Sequence, residues 1–315
     1  MEQNKYNEKK QEFDLLYNKL YNENFSKLEE LRKIGAESFK KVAIIVGIIM
    51  VLFFVNIVVG MLSLALFIIY LIKGKSKKNT DSKHEDVMEY LPIYKENIIR
   101  PILNCAIGNC EYFPNGEMSE LEYSKAEWER FDTYKSNDKI VINLEDNIKN
   151  NSVLTLADVH TTKLKTDKNG NRRKETIFWG LAGYTKLPRS INCNIRIILD
   201  YKDLGNRLEE KIDMDMSEFE NNFNVYTNDK IKATQLLTSD VMSHLTSLLN
   251  SNKAKFEIFI ENEMLYIRFH TGAMFEPSLF GESINYQELE RCFDIMLEIN
   301  NVTNYIINSI INTEL

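Results

Sequence analysis

VAIIVGIIMVLFFVNIVVGMLSLALFIIYLI, residues 42 to 72, runs for 31 residues without a charge, and Asn56 is its only strongly polar member. A bilayer core of about 30 Å needs roughly 20 apolar residues as helix, so the stretch predicts a transmembrane segment. As one straight helix it would extend about 46 Å, too long without a steep tilt. A hairpin breaking between Asn56 and Gly60 leaves two short halves, Val42 to Val55 and Met61 to Ile72. Lys40 and Lys41 precede the run, and Lys73, Lys75, Lys77 and Lys78 follow it. Positive charge at both ends places both ends in the cytoplasm and calls for an even number of crossings, which favours the hairpin over a single tilted span. A cleaved signal peptide does not fit, because a charged segment of 41 residues comes first.

On the N-terminal side, residues 6 to 39 read as an amphipathic helix. Phe13, Leu16, Tyr17, Leu20, Phe25, Leu28, Leu31 and Ile34 recur mostly three or four apart among Lys and Glu. Such a stripe wants a partner, either a second copy as a coiled coil or the body of the chain itself. On the other side, residues 73 to 85 are a basic, aperiodic linker suited to anionic headgroups or to enforcing topology.

From residue 86 to 315 the pattern is that of a globular domain. Val87 to Ala106 predicts a helix bent at Pro92 and Pro101, and Ser119 opens a short one. Strands are predicted over Asp138 to Leu144 and Val153 to Lys165, the latter turning through Asn169-Gly170 into Arg172 to Tyr184. Ile191 to Leu199 alternates, with Asn192, Asn194 and Arg196 on the solvent row. Short helices follow at Ser217 to Phe223, Asp229 to Leu237 and Asp240 to Leu249, then a hairpin through Glu261-Asn262-Glu263. Two helices, Tyr286 to Glu298 and Val302 to Asn312, end the chain. Mixed short groups without a βαβ rhythm predict an α+β fold with a mainly antiparallel sheet and flanking helices.

Charge and motifs exclude more than they assign. Residues 73 to 315 carry a net charge of −8, a poor match for a phosphate backbone, so nucleic acid is not an expected partner. Cys105, Cys110, Cys193 and Cys292 lack metal-type spacing and are expected as reduced thiols. No P-loop, GxGxxG, GxSxG or HExxH occurs, so no cofactor is expected.

Four stretches carry a family resemblance: YFPNGEMSELEYSKAEWERFDTYKSND, TIFWGLAGYTKLPRSINCNIRIILD, MSEFENNFNVYTNDKIKATQLLTSDVMSHL and LYIRFHTGAMFEPSLF. They resemble a bacterial membrane family catalogued as domain of unknown function 3137, over most of residues 10 to 310. Its most specific phrases fall at Phe223, Val225, Tyr226 and Asp229, and at Phe275-Glu276-Pro277. The resemblance implies a membrane hairpin followed by a cytoplasmic domain at the bacterial inner membrane. It brings no catalytic residues.

Candidate chemistry is sparse. Asp158 and His160 share a strand face, where an acid/base pair is conceivable, but a solvated face is the preferred explanation. Asp240 and His244 share a helix face, but no third metal ligand is evident and the helix dipole accounts for Asp240. His270, with Tyr266 and Arg268, reads as surface. Gly180 and Gly183, in the run from Trp179, fit a bulge or close packing. Trp128, Phe131, Tyr134, Trp179 and Tyr226 could line an apolar groove or simply be core. The candidate ligand-binding residues are thus Asp158, His160, Trp179 and Tyr226.

Taken together, these patterns predict a membrane-anchored interaction or scaffolding module, partnered by the bilayer and by a protein or a second copy through the N-terminal helix. The rival is a ligand sensor or enzyme in which Asp158 and His160 meet Glu175 or Asp138 in one concave pocket.

Overall fold

The computed structural model describes residues 2–55, 57–76, 89–108, 110–144, 152–166, 170, 172–201, 209–250, 254–277 and 282–312. Two compact units emerge, one of residues 1–13, 102–275 and 290–315, the other of 14–101 and 276–289.

The first unit is built on a nine-stranded sheet in the order β1-β2-β3-β4-β9-β8-β5-β7-β6, with every neighbouring pair antiparallel. The strands are β1 (Cys110–Phe113), β2 (Thr133–Asn143), β3 (Val153–Thr166), β4 (Arg172–Lys186), β5 (Asn194–Leu199), β6 (Glu210–Ile212), β7 (Phe223–Thr227), β8 (Lys255–Glu261) and β9 (Met264–His270). The predicted antiparallel α+β architecture therefore holds. Short edge strands β1 and β6 lay outside the sequence reading. So did β7, because Phe219 and Phe223, one turn apart, imitate a helix that in fact stops at Glu220.

Local chemistry explains the turns. Asn262 takes a positive φ of 52° between β8 and β9, a conformation Asn tolerates. Asp138, at φ 52°, sits in a β2 bulge where the register with β3 jumps from Asn137 to Ile140. Gly180 lets β4 lie against the end of β9, since a Cβ there would come within 2.6 Å of the Thr271 backbone nitrogen. The helix predicted at Ser119 forms as Glu120–Ser124, with a full capping box between Ser119 and Glu122. Asp229 caps Lys230–Leu236 by accepting from the Lys232 amide at 3.1 Å.

Both faces of the sheet are covered. One face carries Ala157, Val159, Phe178, Ala182, Phe259 and Tyr266, packed with Met118, Tyr123, Ala126 and Trp128 from the 114–132 segment. On the other row Leu156, Leu181, Ile258, Ile267 and Phe269 are equally buried. The predicted pair of C-terminal helices is one continuous helix, Tyr286–Asn312. Within this unit its Phe293 meets Phe13 at 4.8 Å between ring centroids, and the Tyr6 hydroxyl donates to Asp294.

In the second unit, helix α1 (Glu2–Val55), whose first turns belong to the first unit, contains the predicted amphipathic helix of residues 6 to 39 and runs on into the apolar stretch. Leu20, Leu28 and Leu31 are buried, Tyr17 meets Tyr286 edge to face, and the Tyr286 hydroxyl donates to Asp14. These members of the stripe thus pack within the chain, one of the two arrangements expected for it. The helix approaching Pro101 widens into a π turn at Lys95–Ile99, which relieves the clash a Pro ring makes with the carbonyl four residues back.

The apolar run requires a correction. Among the described residues no helix is long and apolar enough to cross a membrane, so the expected transmembrane spans are not borne out. The run is divided, α1 ending at Val55 and α2 (Ile57–Ser76) starting at Ile57. Helix α2 folds back on α1: a Cβ on Gly60 would lie 2.5 Å from Phe53 Cγ, and Ile45, Ile49 and Leu52 share a groove of about 350 Å³ with Ser63, Leu66 and Phe67. The first four residues of the predicted linker continue α2, and 77–85 lie outside the described residues.

Candidate functional site

Two rows of side chains on the sheet concentrate the unit's chemistry. The first starts from the β8–β9 register, which fixes Glu257 opposite Arg268 and Phe259 opposite Tyr266. Arg268 is only 2% exposed, not the surface residue that strand alternation predicts. Its Nε donates to Glu257, itself fully buried. Its Nη1 and Nη2 donate in parallel to the two carboxylate oxygens of Glu129, at 2.5 and 2.7 Å. The guanidinium lies 4.4 Å from the Trp128 ring and 5.3 Å from Phe178. Burial alone would push its pKa down, but the charge of Glu257 and the hydrogen bonds of Glu129 outweigh that and raise it. His270, expected on the surface, is half-buried, with Nε2 3.5 Å from Glu257.

A second guanidinium repeats the device two strands away. Arg196, also predicted on a solvent row, is 2% exposed and lies 3.4 Å over the Phe259 ring. It donates to the Ala126 carbonyl at 2.7 Å and to Glu209 at 3.2 Å. Both arginines therefore hold the 114–132 segment to the sheet, and Tyr184 adds a third tie by donating to Glu122 at 2.5 Å. Hydrogen bonds from Tyr184 and Ser119 hold the Glu122 carboxyl down to about 2. Arginine cannot serve as a general base, and these two are held by carboxylates and a carbonyl; the arrangement clamps the 114–132 segment. The opposite charges at positions 257 and 268, equidistant from the Asn262 turn, were the sequence signal for it.

The second row holds the sequence-predicted candidates. His160 faces Trp179 across β3 and β4, the rings 5.0 Å apart, and His160 Nε2 lies 3.1 Å from Thr176 Oγ1. Burial, then the charge of Lys135, lowers the His160 pKa. Asp158 is buried opposite Leu181 and Asn137. Asp138 is held at the β2 bulge by Tyr112 and Asn137. Glu175 pairs with Lys165 at 2.5 Å, at the end of the ribbon away from Asp158. The four groups of the enzyme reading are thus spread over β2, β3 and β4, Asp138 and Glu175 with partners of their own. Trp128, Phe131 and Tyr134 come together with Tyr123 as core, Trp179 is exposed beside His160, and Tyr226 stands opposite Arg196 on β7. His244 stacks on Tyr305 at 3.9 Å. Among the described residues no group of three His, Cys, Asp or Glu could hold a metal ion, and the four cysteines are free thiols.

Residues 176–306, from the middle of β4 into the last helix, match the model of a family described as "Protein of unknown function (DUF3137)". No curated protein matches the chain. Among solved structures, that of the mycobacterial trehalose monomycolate transport factor A, TtfA, aligns over 61% of this chain and 86% of its own, at 9% identity and a TM-score of 0.33. A likeness at that level carries no argument about fold or role.

Proposed function

From the premise that this chain carries a DUF3137 domain over residues 176–306, we propose that it is a membrane-anchored interaction module. Its α1–α2 hairpin lies in lipid, and its sheet unit is held at the cytoplasmic surface to meet a protein partner. One observation carries the reading: the hairpin turns large apolar side chains outward. Ile44, Ile48, Val51, Phe54, Ile57, Val58, Met61, Leu62 and Leu66 are all exposed, Phe54 to 93%. Burying each such side chain is worth roughly 1.5–3 kcal/mol, so water around the hairpin costs tens of kcal/mol that lipid removes.

The short apolar halves, Val42 to Val55 and Met61 to Ile72, fit a hairpin whose two ends lie on one side, where the flanking lysines stand. Tethering raises the local concentration of the sheet unit near membrane partners without chemistry in the domain, in keeping with the clamp-like character of its buried charges. The test is extraction of membranes at alkaline pH, with impermeant maleimide labelling of cysteines introduced at Gln3, Val55 and the exposed Asn312. Retention in the pellet with residues 3 and 312 labelled from the same side is expected. Release into the supernatant, or labelling of 3 and 312 from opposite sides, overturns the reading. Labelling of residue 55 from the far side distinguishes a hairpin that crosses from one that re-emerges on the side it entered.

A further inference from the structure

Beyond Thr162 on β3 and before Thr176 on β4, these strands form ladder pairs only with each other, the Leu164 amide also donating to the Asp132 carboxylate at 2.6 Å, so they leave the sheet as a two-stranded ribbon. Its described residues 162–166 and 172–176 carry Lys163, Lys165, Arg172, Arg173 and Lys174 against the single acid Glu175, a net charge of +4 in a chain of net charge −7. The hydrogen bond between Thr176 and His160 fixes which face is which. Alternation then sets Lys174 and Arg172 on the His160 and Trp179 face, and the register sets Leu164 there beside Lys174. Leu164 and Trp179 are each 44% exposed. The ion pair Lys165–Glu175 occupies the opposite face, leaving this one basic and apolar.

We propose that this ribbon face is a second, electrostatic membrane contact, in which Arg172 and Lys174 engage anionic phospholipid headgroups while Leu164 and Trp179 enter the interfacial layer. Guanidinium and ammonium groups suit phosphate, and an exposed indole beside them is characteristic of the water–lipid boundary. Two large apolar side chains among the cations fit a layered lipid surface better than a polyanion in solution, which offers nothing apolar to enter. The inference rests on the anchored reading above, and only anionic lipid satisfies it.

The test uses the full chain with Cys105 and Cys110 replaced by Ala and an environment-sensitive dye on Leu164→Cys. It is reconstituted into vesicles of phosphatidylcholine alone or with about one-third phosphatidylglycerol. Expected is a blue shift and protection from aqueous quencher in the anionic vesicles only, reversed by 0.5 M salt. Each neutralised cation should lower the docked-to-free ratio about fivefold, so R172Q/K174Q should abolish the shift. A native circular dichroism spectrum checks that variant's fold, and the salt reversal, made on unsubstituted ribbon charges, stands independently. An equal dye response in both vesicle types, or an equal response to soluble polyglutamate, overturns the proposal. Stable association with neutral vesicles in that case leaves the hairpin anchor standing. Association with anionic vesicles alone, accompanied by the dye shift, supports the ribbon and removes the anchor.

Discussion

Replacing Arg268 by Met should cost the sheet unit about 3–5 kcal/mol, because it strands a carboxylate that has no access to water. Glu257 is fully buried, whereas the Glu129 side chain is one-third exposed and can rehydrate. Almost the whole penalty therefore belongs to Glu257. Glu257→Leu alone should cost less, roughly 1–3 kcal/mol, since Arg268 keeps its two bonds to Glu129. The double variant removes both charges from the apolar face formed with Trp128 and Phe178. It should lie within about 1.5 kcal/mol of the parent, giving a coupling of at least ~2 kcal/mol between the sites. Urea unfolding of the full chain in detergent reads this out through Trp128, once Trp179, the other of the two tryptophans, is changed to Phe. A double variant destabilised by the sum of the two singles would refute the reasoning, for the charges would then be independent packing contacts.

Two further outcomes follow from the same geometry. Glu122 has its folded pKa depressed to about 2 by the Tyr184 and Ser119 hydrogen bonds, so its stabilising contribution is complete above its ordinary value of 4.5 and is lost as pH falls through about 2. Glu122→Gln should flatten the acid limb of a stability-versus-pH curve between pH 5 and 2 and cost about 1 kcal/mol at neutral pH; an unchanged acid limb would count against the bond. Gly60→Leu should part the hairpin, because even its Cβ would fall 2.5 Å from Phe53 Cγ and 2.8 Å from Phe53 Cα. Capture of Ile49→Cys and Ser63→Cys by a short bis-thiosulfonate crosslinker should then drop severalfold, and undiminished capture would show that close contact at Gly60 does not hold the helices together.

Much of this fold is written locally. The Ser119 capping box, the Asp229 cap and the Asn262 turn each act within a few residues, where side-chain and backbone preferences suffice. The same locality misled at Phe219 and Phe223, and at residues 299 to 301, where the expected break is overridden by the buried stripe Ile299, Val302 and Ile306 of one long helix. Sheet order was decided elsewhere: β4 joins β9, and β5 lies between β8 and β7, so partners far apart in the chain had to meet. The fate of the polar rows was settled there too. Alternation correctly put Arg196 and Arg268 on one side of their strands, but whether that side meets water depends on the 114–132 segment. Glu129 is 139 residues from Arg268 in the chain, and only folding brings it there. A charge can leave solvent only when a counter-charge arrives to meet it, and that is a property of the tertiary structure.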